Sequence, residues 1–227
     1  MTLTVKKFKK DIKDRDTTPY PLAEAIKKAK NASKAKFDAT LELHINLDID
    51  QKKGAVNIRY TTVLPNGTGK TKKVAVLASK KISNADLELT ESDIDKIEKG
   101  KIKPKVDFDV LIAEPKFMPK LAKVAKILGP IGMMPNPKLG TVSENVEEAV
   151  AQVKKGKVEI KTEKDAMVIH TILGKVSFDD KALAENFNEI YKTLKQAKPI
   201  KSKPEWIKSA FITTTMGPAF SVALNDL

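Results

Sequence analysis

ATLELHINLDID, residues 39–50, decides the fold of the part of the chain around it. Apolar and polar side chains alternate through this stretch without interruption. The apolar row is Leu41, Leu43, Ile45, Leu47 and Ile49, and the polar row is Thr40, Glu42, His44, Asn46 and Asp48. Because successive side chains of a strand point to opposite faces, the pattern predicts a β-strand with one buried and one open face.

The segments on either side extend this prediction. Pro21–Ser33 has helical spacing, with Leu22, Ala25, Ile26 and Ala29 on one side. Gln51–Gly54 reads as a turn, and Ala55–Leu64 alternates again as a second strand. Its apolar side is Val56, Ile58 and Leu64, and its polar side is Asn57, Arg59 and Thr61. A hairpin of the two strands would place both polar rows on the same open face.

A different pattern begins after Pro65–Gly69, the sequence PNGTG. Two short apolar runs, Val74–Ala78 and Phe108–Ala113, alternate with helical patterns at residues 91–99 and 120–128. Gly129 fits a helix C-terminal stop. Strands that alternate with helices predict a small parallel α/β domain. The spacing after residue 142 predicts a further helix over Ser143–Lys154.

The antiparallel pattern returns at residue 157. The predicted strands here are Val158–Lys161, Ala166–Leu173, Ile207–Thr215 and Phe220–Leu224. Ser177–Asp180, the sequence SFDD, resembles a capping box ahead of a helix. Leu183, Phe187, Ile190 and Leu194 follow at helical spacing, and Pro199 and Pro204 would end that segment.

Antiparallel strand patterns at the two ends of the chain therefore enclose a segment in which strands alternate with helices. We expect an α/β protein of two domains. Residues 1–68 and 157–227 would form a discontinuous α+β domain, an antiparallel sheet with helices, and residues 69–156 an inserted Rossmann-like α/β domain. Insertion at a surface turn is tolerated when the two junctions lie close together. The inserted domain would move on hinges near Pro65–Gly69 and Gly156.

Composition limits the classes of function. The 227 residues carry a formal net charge of +13, which favours an acidic partner such as nucleic acid. Only Arg15 and Arg59 of the 42 basic residues are arginine, and lysine reads base edges poorly. The absence of cysteine excludes disulfides, thiolate metal sites and thiol catalysis. There is no signal-peptide pattern and no apolar run of ~20 residues, so we expect a cytoplasmic protein with no membrane contact.

Motifs for catalysis are weak. Residues 67–71, GTGKT, end like a phosphate-binding loop, but position 64 is Leu64 where that motif needs glycine, and a strand is predicted next. His44 and His170 lie in unrelated segments without a nucleophile or metal-ligand spacing. We therefore expect no enzyme, no cofactor and no metal.

Two segments are candidates for binding. The first is the polar row of the opening strand, where Thr40, Glu42 and His44 follow Lys36 and Phe37. Hydroxyls, a basic side chain and an aromatic ring suit ribose, phosphate and an unstacked base. The alternative is a solvated polar face with Phe37 buried in the core.

The second candidate is TTTMGP, residues 213–218. Its hydroxyls fit a strand, Gly217 allows another backbone to approach closely, and Met216 can pack flat on a ribose or base. The alternative is a strand that ends in a Gly-Pro turn.

One further stretch, LGPIGMMPNPKLGTV at residues 128–142, predicts a rigid, partly buried turn, with a structural role for Met133 and Met134. The other interpretation places Lys138 and the two methionines at a nucleic-acid surface. The stretch resembles the signature LGPRGLMPNPKxGTV of the bacterial ribosomal protein L-one (uL-one) family. The resemblance continues in AKFDATLELHI (35–45), HTILGKVSF (170–178) and TTTMGP. Ile131 stands where that family usually has Arg, and Tyr60 where it usually has Gly.

The resemblance implies the two-domain layout and a function in the large ribosomal subunit. The implied RNA contacts are Lys36, Phe37, Thr40, Glu42, His170, Lys175, Ser209, Thr213, Thr215, Met216 and Gly217. The implied partners are the stalk helices of large-subunit rRNA, tRNA at the exit site and the mRNA of the protein's own operon, which it would repress. Off the ribosome we expect a monomer. A free-standing RNA-binding repressor and a phosphate-handling enzyme built on residues 69–156 are the alternatives.

Overall fold

The computed structural model describes residues 18–49, 58–79, 82, 84–163, 166–198 and 206–224. The helices in these ranges are α1 (Leu22–Asn31), α2 (Glu91–Glu98), α3 (Met118–Leu121), α4 (Ala125–Ile131), α5 (Val146–Lys154) and α6 (Asp180–Gln196). The strands are β1 (Thr40–Leu47), β2 (Arg59–Val63), β3 (Val74–Leu77), β4 (Leu87–Leu89), β5 (Val110–Ala113), β6 (Lys157–Lys161), β7 (Val168–Lys175), β8 (Ile207–Thr214) and β9 (Ala219–Val222). The predicted mixed α/β class is confirmed.

The chain divides into two compact units. The first comprises Met1–Gly69 with Ile160–Leu227, and the second comprises Lys70–Glu159. The chain thus leaves the first unit after the PNGTG turn and re-enters it within β6. Each unit has its own sheet and its own core.

The first unit is built on a four-stranded antiparallel sheet in the order β7-β1-β8-β9. Strand β1 is bonded on both edges, so that Ile45 lies opposite Ile169 of β7 and Ala210 of β8. The predicted hairpin of β1 with residues 55–64 is therefore wrong, because β7 and β8 already occupy both edges of β1. Strand β2 pairs with β6 instead.

Helices α1 and α6 cover one face of this sheet. Helix α1 contacts α6, β8 and β9, and α6 contacts β7. The predicted apolar residues are buried here; Leu41, Leu43, Ile45, Ile26, Leu183, Phe187, Ile190 and Leu194 are all at most 1% exposed. Burial of side chains of this size contributes ~1.5–3 kcal/mol each. The alternating burial along β1 confirms the predicted two-sided strand.

The second unit contains a three-stranded parallel sheet in the order β4-β3-β5. One side packs against α2 and the helical segments of residues 115–131, through Leu121, Val124 and Leu128. The other side packs against α5. The single helix predicted over residues 120–128 is in fact a series of α- and 3₁₀-helical turns that runs from Pro115 to Ile131.

Two predicted helix ends are wrong. Gly129 lies inside α4, and the left-handed residue that ends this helix is Gly132, with φ of 77°. Ser177 does not cap α6, because its hydroxyl donates to Asp38 Oδ2 at 2.9 Å and the N-cap position is Asp179. The turn at Gln51–Gly54, the first residues of the second predicted strand, and Pro199 and Pro204 lie outside the described residues.

Asn186 is a fully buried polar side chain that fastens the PNGTG turn to α6 and β7. Its Oδ1 accepts from the Asn66 N–H at 3.1 Å. Its Nδ2 donates to the Gly67 carbonyl at 3.0 Å and to the Leu173 carbonyl at 2.7 Å. A buried amide with all of these partners is stabilising, whereas its loss leaves three backbone groups unpaired.

We expect Asn186→Ala to lower the free energy of unfolding by about 1–3 kcal/mol, because one buried and two partly buried backbone groups lose their partner. Urea unfolding measures this directly. Asn188→Ala is the matched control, since Asn188 is exposed on the same helix, and should change the unfolding free energy by less than about 0.5 kcal/mol. Equal effects of the two substitutions would contradict the role given to Asn186.

Candidate nucleic-acid interface

The polar row of β1 lies in the middle of the sheet face that α1 and α6 do not cover. The register places Glu42 opposite Thr213 of β8 and Ile172 of β7. It places His44 opposite Phe211 and His170 in the same way. We call this surface, which β7, β1 and β8 build together, the open face.

Hydrogen bonds tie the polar side chains of the open face to one another across strands. Asn46 Nδ2 donates to Ser209 Oγ at 2.9 Å. The Thr215 hydroxyl lies 3.3 Å from both the Thr40 carbonyl and Glu42 Oε1, and it accepts from the Thr40 N–H at 3.3 Å. These side chains are therefore held in place before any ligand arrives.

Lys175 is held at the same end of the face. Its Nζ donates to Thr40 Oγ1 at 3.0 Å and to the Asp38 carbonyl at 3.2 Å. This lysine therefore positions the segment that leads into β1, and its charge lies beside the hydroxyl of Thr40.

The turn between β8 and β9 presents Met216 at the edge of the open face. Met216 has φ of 68° and a side chain that is 80% exposed. The Gly217 N–H donates to the Thr214 carbonyl at 2.7 Å, and the Thr213 hydroxyl lies 3.2 Å from the Gly217 and Pro218 carbonyls. A Cβ at position 217 would lie 2.1 Å from Thr214 Oγ1, so a larger residue here would displace the buried Thr214 side chain.

Exposed apolar side chains lie on the open face, in its Met216 turn and in the segment just before β1. Phe37 is 60% exposed and Ile172 is 41% exposed, in addition to Met216. The alternative in which Phe37 is a buried anchor is therefore wrong. Apolar groups held in water beside fixed hydroxyls are typical of a binding surface.

His44 and His170 form a close pair on this face. Their Nδ1 atoms are 2.6 Å apart, a distance at which one nitrogen donates and the other accepts. His44 Nε2 lies 3.8 Å from Glu42 Oε2. Burial lowers the pKa of His44 below its ordinary 6.5, the charge of His170 lowers it further, and Glu42 opposes both. Neutral His44 is thus the form that the folded protein favours.

The structure brings nine of the eleven predicted contact residues onto the open face or its Met216 turn. They are Thr40, Glu42, His170, Lys175, Ser209, Thr213, Thr215, Met216 and Gly217. Lys36 and Phe37 are exposed in the segment just before β1. Sequence reasoning missed Phe211 and Ile172. Phe211 could have been found from the alternation of β8, which puts it on the same side as Ser209 and Thr213.

The stretch at 128–142 has the geometry of a structural turn. Met133 is buried in the core of the second unit, and Ile131 and Met134 pack against that core. Asn136 Oδ1 accepts from the Lys138 N–H at 2.9 Å, and the Asn136 N–H donates to Thr141 Oγ1 at 2.8 Å. These contacts agree with the structural interpretation of the two methionines.

The described residues do not have the geometry of a phosphate-binding loop, a metal site or a membrane-spanning helix. Residues 67–71 lead into β3 and not into a helix, so the geometry of a phosphate-binding loop is missing. The described residues contain no group of three or more His, Cys, Asp or Glu side chains placed to hold a metal ion. Each helix among them is too short or too polar to cross a bilayer.

The lowered pKa of His44 predicts a loss of stability in acid. In the unfolded chain a histidine titrates near pH ~6.5, so below that pH the unfolded state binds more protons than the folded state. The free energy of unfolding should therefore be highest above pH ~6.5 and fall as the pH is lowered. His44→Gln should remove part of this dependence, as measured by urea unfolding between pH ~8 and ~5. Parallel pH profiles for the two proteins would contradict the prediction.

Comparison with known proteins identifies the family of the chain. The profile of the Ribosomal protein L1p/L10e family matches residues 26–218. The chain is 46% identical over 211 residues to the large ribosomal subunit protein uL1 of Mesoplasma florum, covering 91% of each chain. It is 44% identical to uL1 of Phytoplasma australiense, over 93% of this chain and 91% of that protein. It is 42% identical to uL1 of Macrococcus caseolyticus, over 98% and 97%.

These relatives carry the name of a ribosomal protein and not of an enzyme. The predicted non-enzymatic character is thereby confirmed, and the alternative of a phosphate-handling enzyme is wrong. The family match spans most of the chain and includes both β1 and the Met216 turn. The chain belongs to the ribosomal protein L1p/L10e family.

Proposed function

We propose that the protein is a structural constituent of the large ribosomal subunit that binds large-subunit rRNA through the open face and its Met216 turn. The observation that carries the proposal is the convergence of β1, β7 and β8, which are distant in sequence, into one surface of fixed hydroxyls edged by exposed apolar groups. Membership of a ribosomal protein family places the protein in the cytoplasm, on the ribosome.

The chemistry of the open face suits riboses and bases better than phosphates. Its centre holds the hydroxyls of Ser209, Thr213 and Thr215, together with the carboxylate of Glu42. A carboxylate repels phosphate but accepts from a 2′-hydroxyl or a base amine, so Glu42 would select RNA in one register. Specific affinity on this surface should therefore depend on shape and hydrogen bonding more than on net charge.

The Met216 turn would supply the apolar part of the contact. A left-handed non-glycine residue costs ~1–2 kcal/mol. Such strain persists where the surroundings impose it, and it is frequent at functional sites. Here the strain fixes an 80% exposed thioether at the edge of the hydroxyl rows, where it can lie flat on a ribose or an unstacked base.

The family resemblance supports further proposals about the RNA target, the regulation and the domains of the protein. The RNA would be the stalk region of large-subunit rRNA, and the protein would assist release of tRNA from the exit site. It would repress translation of its own operon's mRNA, which would offer a similar RNA structure, and it would be a monomer off the ribosome. The two units would act as a discontinuous RNA-binding domain and an inserted Rossmann-like domain.

A free-standing repressor that never joins the ribosome is the alternative. Sedimentation of a cell lysate separates the two functions. A ribosomal constituent should co-sediment with large subunits at near-stoichiometric amounts, whereas a free repressor should stay in the light fractions.

We expect Met216→Asp to abolish the preference of the protein for a stalk-like rRNA fragment over a scrambled hairpin of equal length. The new carboxylate would face phosphate and ribose, and folding should be preserved because the side chain is exposed. Binding is measured by titration at high salt, where contacts driven by charge alone are weak.

Two controls sharpen this test. Met216→Leu keeps an apolar side chain and should retain the preference. Asn188→Asp makes the same change in net charge at an exposed position on α6, the helix on the opposite side of the sheet, and should also retain it. Normal discrimination by the Met216→Asp protein would move the RNA site elsewhere.

Thr215→Val tests the hydroxyl row. The Thr215 hydroxyl already contacts Thr40 and Glu42, so its loss should free the Glu42 carboxylate and weaken binding to the stalk-like fragment by about 1–3 kcal/mol. Unchanged affinity in the same titration would make the role of Thr215 purely structural.

A further inference from the structure

The second unit carries a rigid turn at residues 99–107 that the proposed function does not use. Its first residues are bonded to α2, where the Lys101 N–H donates to the Lys96 carbonyl at 2.9 Å, and its remaining hydrogen bonds are local. The Lys103 N–H donates to Asp107 Oδ2 at 2.7 Å. The Lys103 carbonyl accepts from the backbone N–H groups of Val106 at 3.2 Å and Asp107 at 3.1 Å. The Lys105 N–H donates to the Phe108 carbonyl at 2.9 Å. Phe108 is fully buried and so anchors the turn to the core.

This lysine turn shares two unusual properties with the Met216 turn. Lys105 and Met216 are the two non-glycine residues with positive φ in the described part of the chain, at 71° and 68°. The residue after Lys105 is Val106, whose side chain is 66% exposed. In each unit a strained turn therefore holds an apolar side chain in water.

The lysines of the turn have no ion-pair partner among the described residues. Lys99, Lys101, Lys103 and Lys105 are all exposed, and none of the four is ion-paired with any other described residue. The one carboxylate within the turn, Asp107, already accepts from the backbone of Lys103.

Lysines on neighbouring elements behave differently. Lys96 of α2 pairs with Asp93 at 2.8 Å, and Lys120 of α3 pairs with Glu91. Residues 99–105 thus carry four ammonium groups that make no ion pair within the described part of the chain. Because the backbone of the turn is hydrogen-bonded, these groups form a concentrated positive surface.

We propose that the lysine turn is a second RNA-contact surface, which holds the phosphate backbone by charge without reading sequence. Lysine is a point charge that suits single phosphate oxygens, and each neutralised phosphate releases a counterion. The exposed Val106 adds an apolar contact for a sugar. The surface is chemically distinct from the open face, and its existence does not depend on the open face binding RNA.

The test uses the full-length protein with Lys99, Lys101, Lys103 and Lys105 all changed to Gln. Affinities for the stalk-like fragment and for the scrambled hairpin are measured over a series of salt concentrations. The slope of log association constant against log salt should decrease in magnitude by roughly 2–4, because each lost phosphate contact removes ~0.7–0.9 from it. Both RNAs should lose affinity equally at low salt.

The control removes the same charge elsewhere, with Lys27, Lys181, Lys192 and Lys198 all changed to Gln. These lysines are exposed on or beside α1 and α6. An unchanged slope for the turn variant, or an equal change for the control, overturns the proposal.

Failure of this proposal and failure of the proposed function give different results. Loss of the open-face site appears as loss of preference for the stalk-like fragment at high salt. Loss of the lysine turn appears as a changed salt slope with that preference intact.

Discussion

Strand β1 is hydrogen-bonded on both edges to strands that lie far away in the sequence, and the rest of the first unit depends on that pairing. His44 meets His170, 126 residues later, and Glu42 meets Thr213 further on still. With both edges bonded, the apolar row of β1 faces α1 and α6 and its polar row lies in the centre of the open face. Core and candidate site are thus the two sides of one strand, and a shift of one residue in register would exchange them.

The pairing also fixes what the open face can recognise. Its side chains are bonded to one another across strands, from Asn46–Ser209 at one end to Lys175–Thr40 at the other. A surface organised in this way loses little side-chain entropy when a ligand binds. Positive charge is scarce at its centre, where Glu42 lies, so the face is suited to discrimination. In our proposal the long-range attraction of RNA would come from lysines elsewhere, among which the lysine turn is the most concentrated unpaired group that we identify in the described residues.

Local patterns in the sequence predicted the local structure well. The alternation at residues 39–50 and the helical spacing of Leu183, Phe187, Ile190 and Leu194 correspond to β1 and α6 with the expected buried faces. The short apolar runs at 74–78 and 108–113 correspond to the parallel strands β3 and β5. In each case the pattern records which side chains leave water, and that is decided within one element.

The errors concern contacts that lie outside the local pattern. The hairpin was wrong because strand pairing depends on which edges are already taken, and β7 and β8 begin more than 120 residues after β1. Ser177 was misassigned because its partner is Asp38, 139 residues away. Gly129 and Gly132 are both plausible helix stops, and only the packing of Leu128 and Met133 in the core distinguishes them. The segment TTTMGP was a candidate from its own residues and the family resemblance favoured it as an RNA contact, but periodicity does not reveal the strain at Met216.

Specific RNA binding on the open face can be tested by mapping the amide chemical-shift changes that the stalk-like rRNA fragment causes at high salt. If RNA binds there, the changes should cluster at residues 40–46, 170–175 and 209–217, while α1 and α6 stay unperturbed. Changes concentrated on those two helices, or scattered over exposed lysines throughout the chain, would contradict it.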